Sequence, residues 1–346
     1  MMKPYMIYGA SGYTGRLIAR AAAARGRKPV LAGRDAVKIE PLAAELGCDC
    51  RVFPLTGALA QPLDGMAAVL HCAGPFRETA APMMEACLAA GVHYLDITGE
   101  IDVIEAAAQR HQRAQAAGIA LLPAVGMDVV PSDCLAARLA ARLPGAIQLE
   151  LAFAGMASVS HGTAATIWEN AGRGGRVRRD GQIVRVGVAW NVQRIPFRRG
   201  PQLAMTIPWG DVASAYHTTG IPNIAVYAAL PPAALRVFRA LRWLAPLAGL
   251  PPVQAAGRWW IDRRVRGPGD EELRRGRVEF WGRVTDAAGR TAEATLETPN
   301  GYALTVETSL AVLQAVLEGR IRAGFSTPAS ALGADLMDAI PDLSFR

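Results

Sequence analysis

Short apolar runs alternate with stretches of helical periodicity through the first part of the chain. The apolar runs predict strands at 4–9, 29–32, 51–53, 67–72, 92–97 and 119–123. Between them, helical spacing predicts helices at 13–25, 37–46, 80–90, 101–117 and 132–143. This alternation is typical of βαβ units with a mostly parallel sheet. Because such a sheet binds ligands outside the carboxyl ends of its strands, the turns after the strands are the places to look for chemistry.

The second half of the chain breaks the alternation. A strand at 147–154 precedes a helix that runs to residue 171, with Ser160 or Thr163 as its expected cap. Turn residues Asp180-Gly181 and Gly289 each lie between strand-like runs, which predicts two hairpins of an antiparallel sheet. Helices at 305–318 and from Thr327-Pro328 onward are assigned to the first domain.

The turn after the first predicted strand carries three glycines at GxxGxxG spacing. It reads Gly9-Ala10-Ser11-Gly12-Tyr13-Thr14-Gly15. Gly9 permits the tight turn, Gly12 lets the backbone approach a pyrophosphate, and Gly15 allows close helix–strand packing. The amides at the start of the following helix would bind the anion. In this strand–turn–helix context the motif predicts a dinucleotide-binding site.

The end of the second predicted strand, Gly33-Arg34-Asp35, bears on which dinucleotide binds. NAD enzymes usually carry an acid here for the ribose hydroxyls. Arg34 offers a planar cation suited to a 2′-phosphate, with the Ser11 hydroxyl beside it. We therefore predict NADP; in the alternative, Arg34 is solvated and Asp35 binds the ribose.

Small and polar residues also follow the fourth, fifth and sixth predicted strands. Predicted cofactor contacts from these strand ends are Cys72, Ala73, Gly74, Pro75, Thr98, Gly99, Gly126 and Asp128. Gly74-Pro75 alone would also suit an ordinary turn. For Asp96 and Glu100, hydrogen bonding to neighbouring loops or capping of the next helix is as good an interpretation as a direct catalytic role.

Four motifs occur in order within roughly the first 135 residues: GASGYTG, CAGPF, HYLDITGE and GMDVVPSD. Together they resemble the saccharopine dehydrogenase-like oxidoreductases, a group that also includes trans-acting enoyl reductases. The resemblance implies an NADP-binding Rossmann domain, an inserted α+β domain with an antiparallel sheet, and a C-terminal return to the first domain. It does not imply saccharopine as the substrate, because the fold alone does not fix the substrate.

The expected domains are therefore an NADP-binding domain at 1–145, a substrate and dimerisation domain at 146–300, and returning helices at 301–346. Within the second domain, residues 208–211 and 216–223 are rich in Gly and Pro, which predicts irregular structure of a kind that is often functional. Asp211, Tyr216, His217 and Thr218 are the substrate-side candidates, with His161 a further one. Purely structural roles for His161 and His217 are equally consistent with the sequence.

These features predict hydride transfer from NADPH to a polarised C=C, C=N or C=O bond of a small organic substrate. Tyr216 or His217 is the expected proton donor, with Asp96, Thr98 and Asp128 on the floor of the site. An enoyl or imine reductase is the leading hypothesis. The alternatives are a saccharopine-type amino-acid dehydrogenase and a catalytically idle NADP-binding protein that docks on a membrane or partner.

The charge pattern refines the expected partners. The 346 residues include 37 basic and 30 acidic side chains, and the whole excess lies in residues 151–300, which hold 20 and 11. This favours an anionic substrate or surface, whereas no recognition fold accompanies the charge and we expect no nucleic acid. Arginines at 236, 239 and 242 form one stripe of a predicted amphipathic helix at 235–250. That helix either packs on the core or makes peripheral membrane contact.

Cysteine usage bears on the compartment. The five cysteines show no framework spacing, and the N-terminus resembles a strand instead of a signal sequence. We expect a reducing cytoplasm, no metal site, and a homodimer formed through the second-domain sheet. No apolar stretch of about 20 residues is present, so a spanning helix is not expected.

Overall fold

The computed structural model describes residues 4–57, 59, 61–156, 158–241, 247–340 and 343–345. The chain forms two compact units, Met1–Val130 with Tyr302–Leu332 and Pro131–Gly301 with Gly333–Arg346. The chain passes from the first unit to the second after Val130, which is ahead of the predicted boundary at 145/146. It returns to the first unit after Gly301, next to the predicted boundary at 300/301.

Strands and helices alternate through the first unit. In chain order they are β1 (Tyr5–Tyr8), α1 (Tyr13–Ala24), β2 (Val30–Gly33), α2 (Ala36–Leu46), β3 (Cys50–Val52), β4 (Ala68–His71), α3 (Phe76–Ala90), β5 (His93–Asp96), α4 (Ile101–Gln109), α5 (His111–Ala116) and β6 (Ala120–Leu122). The single helix predicted at 101–117 is two helices, which meet at Arg110.

The remaining elements build the second unit and the return to the first. They are α6 (Val130–Arg142), β7 (Ala146–Ala154), α7 (His161–Asn170), β8 (Gly175–Arg179), β9 (Gln182–Val186), β10 (Val192–Phe197), β11 (Gly200–Thr206), α8 (Asp211–Thr219), β12 (Asn223–Ala229), α9 (Pro232–Leu241), α10 (Pro251–Arg264), α11 (Asp270–Arg275), β13 (Arg277–Asp286), β14 (Thr291–Pro299), α12 (Gly301–Leu317), β15 (Gly324–Phe325), α13 (Pro328–Leu332) and β16 (Ser344–Phe345).

The first unit contains a parallel seven-stranded sheet in the order β15-β6-β5-β4-β1-β2-β3. All residues of β1, β2 and β4 are buried, which is typical of a parallel sheet covered on both faces. The Rossmann-type α/β fold predicted for the N-terminal domain is confirmed. Since all its strands run the same way, their carboxyl ends lie along one edge of the sheet.

The second unit contains a mixed sheet in the order β10-β11-β12-β7-β13-β14-β16, with the β8–β9 hairpin attached to β12. Only the β12–β7 pair is parallel among its described strands. Both predicted hairpins are present, β8–β9 around Asp180-Gly181 and β13–β14 around Gly289. The predicted α+β second domain is therefore confirmed.

Residues 208–223 correct the sequence interpretation. They were expected to be irregular, but α8 occupies Asp211–Thr219 and β12 starts at Asn223. Gly210 precedes the helix and Gly220 ends it in the left-handed region at φ +72°. The glycines and prolines therefore mark the ends of a short helix instead of preventing one.

The predicted amphipathic helix at 235–250 is seen in part. Helix α9 covers Pro232–Leu241, and the next predicted residues, 242–246, lie outside the described part of the chain. Among the helices that the structure describes, none combines the length and the apolar character needed to cross a membrane.

Candidate functional site

The turn after β1 cannot accommodate a side chain at Gly9. Its φ of +83° lies in the left-handed region, and an added Cβ would lie 2.7 Å from the amide nitrogen of Ala73. The Gly9 amide donates to the carbonyl of Ala32 at the end of β2, over 2.7 Å. The glycine turn is therefore packed between the end of β2 and the loop that follows β4.

Gly15 sets the distance between α1 and this turn. A Cβ at Gly15 would lie 2.3 Å from the carbonyl oxygen of Gly9, so the helix backbone packs directly on the turn. Gly12 is exposed and forms the N-cap of α1, where no side chain caps the helix. A helix start with an exposed glycine cap suits the close approach of a diphosphate.

Arg34 and Ser11 lie at the same edge of the sheet, because β1 and β2 are neighbouring parallel strands. Arg34 is exposed directly after β2, and Ser11 is half-buried in the glycine turn. The neighbouring acid, Asp35, forms an ion pair with Lys38 over 3.1 Å.

The loop after β4 is held against both the glycine turn and the loop after β5. The Cys72 amide donates to the Tyr8 carbonyl over 2.7 Å. The carboxylate of Glu100 accepts from the amides of Phe76 and Arg77, each over 3.1 Å, and so caps the start of α3. Of the two interpretations left open for Glu100, this geometry fits helix capping, although the helix is α3 and not the following α4. Burial raises the pKa of Glu100.

Asp96 joins the ends of β5 and β6. Its buried carboxylate accepts from the Tyr94 hydroxyl over 2.6 Å, the Thr98 amide over 2.9 Å and the Ala124 amide over 2.8 Å. Burial raises the pKa of Asp96 to about 6, despite the lowering effect of these hydrogen bonds. This geometry favours the loop-bonding interpretation of Asp96 over a direct catalytic role.

Asp128 packs closely on the backbone of the neighbouring strand end. A Cβ at Gly99 would lie 2.6 Å from its Oδ2 atom, so Gly99 leaves the space that the carboxyl group occupies. Burial raises the pKa of Asp128 to about 7. Beside it, the Met127 amide donates to the Thr305 hydroxyl over 3.0 Å, which joins α12 to this edge of the sheet.

The substrate-side candidates lie in the second unit. Asp211, Tyr216, His217 and Thr218 are all on α8, where Asp211 is buried in the first turn. The rings of Tyr216 and His217 are 5.8 Å apart, and both residues are half-buried. The Thr218 hydroxyl donates to Asp133 over 2.6 Å. His161 lies apart from them at the surface, paired with Asp262 over 2.7 Å.

Sequence reasoning missed two positioning residues. Arg178 is buried, donates to the carbonyls of Val212 and Gly181, and places its guanidinium 4.1 Å from the centre of the Tyr216 ring. Thr305 contacts the backbone of residue 127 through its hydroxyl. Neither residue belongs to a motif, so no local signal marked it. Among the described residues, no group of three or more His, Cys, Asp or Glu side chains is arranged to hold a metal ion.

Residues 5–122 match the family model of the saccharopine dehydrogenase NADP binding domain. The match spans about a third of the 346 residues. The matched residues include the glycine turn and the ends of β1 to β5.

Two relatives match about a third of this chain, and one solved structure aligns with nearly all of it. The trans-acting enoyl reductases of Mycobacterium leprae and Mycobacterium bovis BCG are each 35% identical over 138 residues, 37% of this chain and 33% of theirs. The chain thus matches about a third of the length of these relatives. The apo structure of saccharopine dehydrogenase (L-Glu forming) from Saccharomyces cerevisiae aligns over 99% of both chains with a TM-score of 0.68 at 14% identity. At that identity the alignment shows a shared fold.

Proposed function

We propose that this protein is an NADP(H)-dependent oxidoreductase that reduces a polarised C=C or C=N bond of a small organic substrate. The observation that carries the proposal is the glycine turn of an NADP-binding domain, packed against the ends of β2 and β4 at one edge of a parallel sheet. The enoyl reductase names of the relatives favour a C=C bond. Reduction of a C=O bond and reduction of an amino-acid-derived imine are the alternative reactions.

The residues at the strand ends fit a bound NADP. The exposed Gly12 and the first amides of α1 would hold the diphosphate, and the exposed guanidinium of Arg34 would pair with the 2′-phosphate. NADPH held by these residues would supply the hydride for the substrate carbon. The hydrogen bonds of Asp96 and Glu100 hold the loops after β4, β5 and β6 in fixed positions around this edge.

The protein must also supply a proton to the atom next to the reduced carbon. We assign this proton to the Tyr216 hydroxyl or the His217 ring, which lie side by side on α8. Arg178 positions Tyr216 by stacking on its ring and by fixing the start of α8 through the Val212 carbonyl. The basic excess in residues 151–300 favours an anionic substrate, and homodimerisation through the second-unit sheet stays a prediction.

An NADPH-oxidation screen tests this function. The substrates are a 2-enoyl thioester, a simple enone, a cyclic imine and a 2-oxo acid, each assayed with NADPH and with NADH. We expect turnover with the enoyl thioester or the imine and a preference for NADPH. A protein that binds NADP tightly but oxidises NADPH with none of these substrates would contradict the proposal and favour a catalytically idle binding protein.

The proton donor is tested by two conservative variants, Tyr216→Phe and His217→Gln. The true donor's variant should lose most of kcat and change its pH profile, while NADP affinity stays the same. Thr219→Val on the same helix is the matched control, because the Thr219 hydroxyl donates to the Ala215 carbonyl of α8 itself. If the two test variants have the same kcat as the control, the proton donor does not lie on α8.

A further inference from the structure

The outer side of α10 exposes an unusual amount of aromatic surface. The side chains of Trp259 and Trp260 are 57% and 55% exposed, and Val253 is 36% exposed. Large aromatic side chains dominate binding surfaces because each contributes a large apolar area when covered. Two adjacent tryptophans that are more than half exposed therefore indicate a surface that another body covers.

Helix α10 packs on α7 through one stripe of residues. The Trp168 indole donates to the Gln254 carbonyl over 3.1 Å, and a Cβ at Gly257 would lie 1.9 Å from the Trp168 ring. Ile261, one turn further on, is buried. Since residues three and four apart share a helix face, the opposite side carries Ala256, Trp259, Trp260, Arg263 and Arg264, all exposed. We call these five residues the α10 outer face.

The charges around the α10 outer face are basic. The Arg263 guanidinium lies 4.2 Å from the centre of the Trp259 ring, and Arg264 follows it at the end of the helix. The single acid of α10, Asp262, is paired with His161 on α7. Arg258 is paired with Glu169 of α7 over 2.8 Å. Asp262 and Glu169 thus pair on the α7 side, and the charged residues of the α10 outer face are both arginines.

We propose that the α10 outer face binds the surface of an anionic phospholipid bilayer. Tryptophan rings are amphipathic and concentrate at the membrane–water interface, while arginines pair with lipid phosphates. A helix that lies in the plane of the interface needs this composition and no spanning length. The exposed Phe238 and Arg236 of α9 extend the same chemistry into the region at 235–250 for which the sequence suggested membrane contact. This proposal is independent of the enzymatic one.

Vesicle co-sedimentation of the full chain tests the proposal. One set of vesicles is pure phosphatidylcholine and the other an equal mixture of phosphatidylcholine and phosphatidylglycerol. We expect binding to the mixed vesicles that weakens as salt is added, weak binding to pure phosphatidylcholine, and a blue shift of tryptophan emission on binding. Absence of binding to the mixed vesicles at low salt would overturn the proposal.

Variants separate the aromatic contribution from the charge. Trp259→Ala with Trp260→Ala should weaken partitioning about tenfold or more, since two exposed rings no longer enter the interface. Arg263→Ala with Arg264→Ala should weaken it roughly fivefold for each cation removed, with a smaller salt dependence. Alanine favours the helix, so α10 should persist, which circular dichroism and NADP binding would check.

Trp190→Ala is the matched control, because Trp190 is 45% exposed and also stacks with an arginine, Arg179, but lies outside α10. Its vesicle binding should equal that of the wild type. If the Trp259/Trp260 variant binds vesicles as the wild type does, the proposal fails. If that variant instead loses self-association, measured as mass by light scattering, a second copy of the chain is the occupant and the lipid assignment is wrong.

Discussion

Gly15 shows how one missing side chain sets the geometry of the nucleotide turn. We expect Gly15→Ala to lower the free energy of unfolding by on the order of 2 kcal/mol, because its Cβ would overlap the Gly9 carbonyl oxygen at 2.3 Å. Helix propensity alone predicts the opposite sign, a gain of about 1 kcal/mol. Urea unfolding measures the difference.

The control is Gly162→Ala, another helical glycine, whose added Cβ would have its nearest contact at 3.9 Å, with the Ser160 hydroxyl. That change should be neutral or stabilising. Equal effects of the two substitutions would mean that the turn relaxes around an added methyl group.

Arg34 is the residue that should decide between the two cofactors. We expect Arg34→Ala to weaken NADP binding roughly tenfold and leave NAD binding unchanged, because only NADP carries the 2′-phosphate that the guanidinium would pair with. Fluorescence titration with both cofactors measures this. Lys38→Ala removes a nearby exposed cation that is already paired with Asp35 and serves as the control. An unchanged ratio of NADP to NAD affinity in Arg34→Ala would assign the ribose to Asp35.

Asp96 couples stability to pH. Burial raises its pKa to about 6 from the ordinary 3.8 of an aspartate, so the folded state holds the proton to higher pH than the unfolded chain does. Its contribution to stability is therefore complete below about pH 4 and is lost as pH rises through about 6, by about 3 kcal/mol in all.

Urea unfolding of the wild type and Asp96→Asn at a series of pH values tests this. The stability advantage of the wild type over the variant should be larger at low pH than at neutral pH. Asp64→Asn, at an exposed position of the same unit, is the control. A stability difference between wild type and Asp96→Asn that does not change with pH would contradict the coupling.

At the scale of elements, the β8–β9 hairpin and α8 are joined by one buried side chain. Arg178 of β8 donates to Val212 over 2.8 Å and to Gly181 over 2.7 Å, and stacks on Tyr216 of α8. We expect Arg178→Met, which keeps the length and apolar stem, to cost roughly 2–4 kcal/mol of stability because two buried carbonyls lose their donor.

Thermal melting of Arg178→Met measures this cost, and Arg179→Met, at the neighbouring exposed arginine, is the control. Arg178→Met should also lower kcat, because Tyr216 loses its positioning contact, and should leave NADP affinity unchanged. A melting temperature equal to that of the control would show that the arginine does not join these elements.

The elements that the sequence predicted are those with local causes. The β1–α1 turn follows from three glycines within seven residues, and the two hairpins from Asp180-Gly181 and Gly289. The sequence does not predict helix α8, because the glycines at its ends are equally typical of irregular structure. The roles of Asp96 and Glu100 stayed open because their partners, Ala124 and Phe76, lie 28 and 24 residues away in the chain. Which distant amide reaches a carboxylate depends on the packing of the whole sheet.

At the scale of the molecule, the chain returns to each unit once. After the second unit it re-enters the first as α12, β15 and α13, where β15 adds to the sheet edge beside β6 and the Phe325 amide donates to His111 over 3.1 Å. It then re-enters the second unit and ends as β16, paired with β14. Strands that are distant in sequence thus complete each sheet. Local sequence patterns do not predict such pairings.

The pairing of β16 with β14 predicts which part of the protein loses stability when β16 is removed. Phe345 lies under the Arg138 guanidinium at 3.9 Å, and Arg198 donates to the Ser344 hydroxyl over 3.1 Å. Deletion of residues 343–346 should therefore destabilise the second unit by roughly 1–2 kcal/mol and leave β14 as an unpaired edge.

Hydrogen exchange measured by mass spectrometry locates this effect, because it reports local opening along the chain. Protection should fall in β13 and β14 and stay at the wild-type level in β4 and β5, whose unit keeps every one of its strands. Phe345→Ala, which removes the ring but keeps the strand pairing, should show a smaller loss at the same positions. An equal loss in β4 and β5 would contradict the assignment of β16 to the second unit, since the edge that it covers belongs to β14 alone.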